Sequence, residues 1–69
     1  MHITGTVKRI ELGMGFWGIE TADGRKLRPL ELPAAYHLVD RPIHATVELL
    51  PDVATAEMWG EVCRLISVE

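Results

Sequence analysis

The chain has 69 residues, 48% of them hydrophobic, with a formal net charge of −3. A chain this short forms one small domain that buries only about 60% of its unfolded surface, so a second domain is not expected. Its apolar runs stop at four or five residues, as in Leu32 to Tyr36. A bilayer-spanning helix needs roughly 20 residues, so no membrane partner is expected. After Met1 the chain reads His2-Ile3-Thr4-Gly5, without a basic segment leading into an apolar one, so a cytoplasmic location is expected.

Cys63 is the single cysteine and has no internal partner for a disulfide, so the core alone must hold the fold. Charge is unevenly spread. Residues 1 to 30 hold five basic side chains (Lys8, Arg9, Arg25, Lys26, Arg28) against three acidic ones, whereas residues 31 to 69 hold two basic against seven acidic. This predicts a mildly basic face on an acidic body and argues against general affinity for nucleic acid.

Period-two patterning with frequent turn signals predicts a β protein. The first strand spans His2 to Leu12. Ile3, Gly5 and Val7 share one face, but Ile10 and Leu12 fall on the other, which predicts a bulge near Lys8 or Arg9. Gly13-Met14-Gly15 then breaks the strand with a connection that needs positive φ. The second strand, Phe16 to Thr21, is rich in aromatic and β-branched residues, and Gly18 within it signals a close approach.

Asp23-Gly24 is the strongest hairpin signal and makes Lys26 to Leu30 the third strand. Pro29 there predicts a short strand or a free edge. Leu32 to Val39 is the one helical segment, with Pro33 in a tolerated first-turn position and Leu32, Tyr36 and Val39 at helical spacing. The fourth strand, Ile43 to Leu50, alternates cleanly, with Ile43, Ala45, Val47 and Leu49 inward. Val53 to Met58 forms a loop or short helical turn, and Gly60 to Val68 is the fifth strand.

Three strands, a short helix and two further strands are the element order of a small antiparallel OB-like barrel, with an SH3-like barrel as the weaker alternative. Thr4-Gly5-Thr6-Val7, Gly15 to Thr21 with Asp23-Gly24, and Asp52, Thr55 and Gly60 resemble a family of small bacterial OB-like domains of unknown function. The resemblance covers nearly the whole chain. It implies the barrel fold and a bacterial source, and it implies no catalytic residue.

OB domains bind oligonucleotides or oligosaccharides across strands two and three, and on that face Phe16 or Trp17, Arg25, Lys26, Arg28 and Trp59 form the candidate ligand-binding set. Against this, one of Phe16 and Trp17 must point inward, Glu20 shares the strand, and the domain is acidic. Aromatics in the core and cations on a solvated face account for the same residues.

His2, His37 and His44 lack a second ligand at metal-binding spacing, and Cys63 has no base at a recognisable position, so neither a metal cofactor nor a nucleophile is expected. Glu57 and Glu61 flank Trp59-Gly60 with no fixed geometry expected of them. Gly13-Met14-Gly15 lacks the helix and lysine of a phosphate loop. A core this small leaves little room for a substrate pocket, so an enzyme is not expected. Met14, Phe16, Trp17, Met58 and Trp59 are more large apolar residues near loops than a small barrel easily hides. The favoured function is therefore a non-catalytic protein-interaction or self-association module, with a protein partner or a homo-oligomer expected. Weak binding of single-stranded nucleic acid is the alternative.

Overall fold

A computed structural model describes all residues, Met1 to Glu69. Its strands are β1 (His2–Ile10), β2 (Phe16–Thr21), β3 (Lys26–Pro29), β4 (Pro42–Leu49) and β5 (Glu61–Val68). They close a barrel in the order β1-β2-β3-β5-β4, with β1 and β4 paired to complete it. This is an OB-like barrel. Four pairings are antiparallel, but β3 and β5 run parallel, because β4 crosses to pair with β1 instead of β3, and β5 then returns between β3 and β4. No helix is long and apolar enough to cross a membrane.

Alternation along each strand builds the core. Ile3 and Val7 of β1, Ile19 of β2, Leu27 of β3, Ile43, Ala45 and Val47 of β4 and Cys63 of β5 point inward, and Leu32 joins them from the β3–β4 connection. Leu49 packs against this cluster, as the alternation of β4 predicts. No polar or charged residue is buried. A thiol in this setting is a small apolar filler, and burial, reinforced by the nearby Glu61 charge, pushes its pKa up to about 11.

The hairpin at Asp23-Gly24 forms as predicted. The Gly24 amide donates to the Thr21 carbonyl, and the Thr21 hydroxyl accepts from the Arg25 amide and donates to the Asp23 carboxylate. Gly13 and Gly15 both take positive φ, which lets three residues turn the chain between β1 and β2.

Three expectations change. β1 carries no bulge: it runs in unbroken register against β2 from Gly5 to Ile10, so Ile10 simply lies on the outer face. The register shift sits in the β4–β5 pairing between Thr46 and Val47, where Ile66 has no partner. Leu32 to Val39 is not a helix but a single 3₁₀ turn at Ala34–Tyr36. Two turns cannot offset the cost of helix nucleation. The backbone just beyond is held elsewhere, since Asp40 donates to the Val7 carbonyl and Val7 donates to the Arg41 carbonyl. Finally, of the two alternatives at Pro29 the short strand holds and the free edge does not: β3 has 4 residues and pairs with β2 on one side and β5 on the other. Pro29 ends it, and the Leu30 amide closes against the Cys63 carbonyl.

Candidate binding face

Strand alternation decides which aromatic faces outward. Ile19 and Leu27 are opposite each other in the core, so the β2 residues sharing Ile19's side point in and their neighbours point out. Trp17 therefore packs against the core cluster at the barrel mouth. There it stacks on the His37 ring at 5.3 Å between centroids and receives the Arg9 guanidinium at 5.4 Å. Phe16 points outward, beside Gly18 and Glu20 on β2 and Lys26 and Arg28 on β3.

Trp59 completes this outer face from the loop between β4 and β5. A Cβ added to Gly18 would lie 2.5 Å from two atoms of the Trp59 ring, so the indole can rest on β2 only because residue 18 has no side chain. Its edge meets Phe16 with ring centroids 5.7 Å apart at 63°. Ile10, displaced to the outer face by the unbroken register of β1, borders the same spot.

Of the three candidate cations, Lys26 and Arg28 lie on this face, whereas Arg25 shares the side of Leu27 and sits at the hairpin end beside Met1; both arginines are already engaged. Arg28 donates to Glu57 at 2.5 Å and lies over the Phe16 ring at 3.8 Å. That hydrogen bond holds the Glu57 carboxyl below its ordinary pKa. Arg25 donates through Nε and Nη2 to Glu61 at 3.1 and 2.8 Å. Lys26 has no carboxylate within ion-pairing distance, stands opposite Glu20 in register, and reaches over the Trp59 ring at 5.9 Å. Glu57 and Glu61, expected to lack fixed geometry, are thus fixed by the two arginines.

An open groove of about 540 Å³ runs beside this face, lined among others by Arg9, Phe16, Trp17, Arg28, Glu31 and His37. It is larger than the small core suggested, because it lies at the open mouth of the barrel, where Arg9 of β1, Trp17 of β2 and Pro29 of β3 meet the β3–β4 connection. Arg9 was not among the expected site residues. Its register position opposite Trp17 is the signal that marks it, and that is legible only once β1 is known to run without a bulge.

The histidines are occupied separately. The His37 Nε2 lies 2.7 Å from the Leu32 carbonyl, and His44 meets the Thr4 hydroxyl at 3.3 Å. His2 lies near Thr46 and Glu69. At the loop tips, Met14 is 99% and Met58 88% exposed. Their loops touch, since a Cβ on Gly13 would fall 2.8 Å from the Glu57 carboxylate.

No family model, curated protein or solved structure matches this chain.

Proposed function

We propose that this domain is a non-catalytic protein-interaction or self-association module, a member of the small OB-like family its turn glycines and strand pattern resemble. One observation supports the reading best: two methionine side chains stand in solvent on loops that touch each other, with Leu12 and Val53 also exposed nearby in the chain. Methionine is flexible and polarisable, and it serves surfaces that adapt to a partner. Apolar groups gathered at one end of a small acidic domain are the kind of patch that association covers.

Sedimentation across a micromolar concentration series tests this. Association that rises with concentration, persists at high salt and disappears in the Met14→Ser/Met58→Ser variant is the expected result, because apolar contact is not screened by ions. A 7.7 kDa monomer at high micromolar concentration overturns self-association.

Binding of single-stranded nucleic acid is the second reading. The groove between Arg9 and Arg28, with an aromatic on each side, favours it. It ranks lower because Arg25 and Arg28 already hold carboxylates and Trp59 is folded onto the strands. Fluorescence anisotropy with a labelled oligonucleotide at low salt decides it. If binding occurs, Lys26→Ala/Arg28→Ala should flatten its salt dependence by about two phosphate contacts.

A further inference from the structure

His2 of β1 and His44 of β4 lie far apart in sequence, and the strand pairing that closes the barrel makes them neighbours. Met1 and Val47 exchange backbone hydrogen bonds, the Met1 amine donating to the Val47 carbonyl at 2.8 Å and the Val47 amide to the Met1 carbonyl at 2.7 Å. Bonded and non-bonded pairs alternate along an antiparallel ladder, so His2 opposite Thr46 and Thr4 opposite His44 are both non-bonded pairs, whose side chains stand closest. All four point away from the core, because Ile3 and Ala45 between them point in. The two histidines therefore share one diagonal of a square, with Cβ atoms about 7 Å apart, and the two threonines share the other. We propose that His2 and His44 form a binding site for a divalent transition-metal ion of the zinc type, each imidazole ligating through Nε2. The proposal is independent of the interaction-module reading and uses a different surface from the methionine loops.

Each ring already has the outer contact that a metal-bound histidine uses. The His44 Nδ1 lies 3.3 Å from the Thr4 hydroxyl and the His2 Nδ1 3.5 Å from the Thr46 hydroxyl, with a Glu69 carboxylate oxygen 3.9 Å from the same His2 atom. Metal binding selects the tautomer in which Nδ1–H donates and Nε2 offers its lone pair, and the acceptors for that proton are in place. The contacts of both rings run through Nδ1 and leave Nε2 to the ion. His37 is different: its Nε2 faces the Leu32 carbonyl at 2.7 Å and its ring is stacked on Trp17. Placement on two paired strands of a closed barrel fixes the spacing of the ligands more firmly than a loop would. The chain assembles no group of three His, Cys, Asp or Glu side chains around an ion, so the protein supplies two ligands and water the rest. Such a site is open and exchangeable. Imidazole suits zinc, nickel and copper, whereas magnesium and calcium take oxygen ligands.

The probe is zinc chloride titrated into the ¹⁵N-labelled protein, followed in long-range imidazole spectra and amide spectra. Saturable shifts at Nε2 of His2 and His44 that follow one binding curve are the expected result, with the amides of Thr4 and Thr46 moving alongside and the His37 ring unmoved. His2→Ala and His44→Ala should each weaken binding by about tenfold or more, because the remaining imidazole loses its intramolecular partner. Thr4→Val/Thr46→Val keeps both ligands and should weaken binding by about tenfold through loss of the Nδ1 acceptors. Magnesium chloride should leave both rings unmoved. No saturable shift at millimolar zinc, equal movement with magnesium, or shifts centred on His37 would each overturn the proposal. Zinc binding of unchanged strength in His44→Ala would also overturn it, since a lone imidazole or the chain's amine would then hold the ion, and so would unchanged strength in the threonine variant. Should an alanine variant lose its dispersed spectrum, the unsubstituted protein decides: both rings moving together with zinc supports the pair, and one ring moving alone overturns it.

Discussion

The Trp59 indole rests on the bare α-carbon of Gly18, so that an added methyl group would meet the ring at 2.5 Å. The loop between β4 and β5 is therefore docked onto β2 by the absence of a side chain. Gly18→Ala should expel the indole while leaving the barrel intact, because residue 18 points away from the core. The expected cost is about 1–3 kcal/mol, typical of overpacking. The Trp59 indole resonance should move toward its value in unfolded peptide while the amides of β4 stay put. An unmoved Trp59 resonance counts against this docking.

Acid should release the same loop. Hydrogen bonding to Arg28 holds Glu57 below the ordinary carboxylate value of 4.5, so its contribution is fully present above that pH and is lost as pH falls through the lower folded value. Asp23 shifts in the same direction through Thr21, but it sits at the hairpin, far along the chain from the loop. The Trp59 resonance should therefore titrate below the usual range for a glutamate, and Glu57→Gln should abolish that step. A Trp59 titration unaffected by Glu57→Gln would assign it to another group.

Val47 is buried at 1% exposure with no polar group nearby in the core. Val47→Asp places an unpaired charge there, costing several kcal/mol against a total stability of about 5 kcal/mol for a domain this small. The variant should be unfolded at room temperature by circular dichroism. A wild-type melting curve would mean that the inward face of β4 is misassigned.

Cys63 has no exposure, and its thiol titrates at about 11. At pH 8 it is both shielded and protonated, so alkylation should proceed about a thousandfold slower than in denaturant, with global opening as its route. Labelling at the denatured rate under native conditions would place β5 outside the barrel.

Features carried by neighbouring residues were legible in the sequence. Alternation in Ile43 to Leu49 marks the inward face of β4, and Asp23-Gly24 joins β2 to β3 without reference to the rest of the chain. Features that need a distant segment were not. The parallel pairing of β3 with β5 leaves no local pattern, since Lys26–Pro29 reads the same whichever strand lies beside it. Ile10 signalled a bulge because the indole that shelters its outer-face position comes from far along the chain. Leu32, Tyr36 and Val39 have helical spacing, yet Val39 is exposed and only Leu32 reaches the core as a buried residue. Of the binding face, the residue types were legible and their mutual engagement was not. Ion pairs such as Arg28–Glu57 and Arg25–Glu61 join segments 29 and 36 residues apart along the chain.

The parallel seat of β5 has a kinetic consequence. Glu61 and Cys63 pair with Leu27 and Pro29, roughly thirty residues earlier, and the same strand supplies the partner for β4. Until it arrives, β4-β1-β2-β3 is a single open sheet whose two edge strands, β3 and β4, present unpaired backbone while its apolar inner face stays exposed. Loop closure over that span must be completed before most of the core is sealed, so the domain should fold slowly for its size. During synthesis, the interval before residues 61 to 68 leave the ribosome is when these two open edges are most exposed to mispairing with other chains.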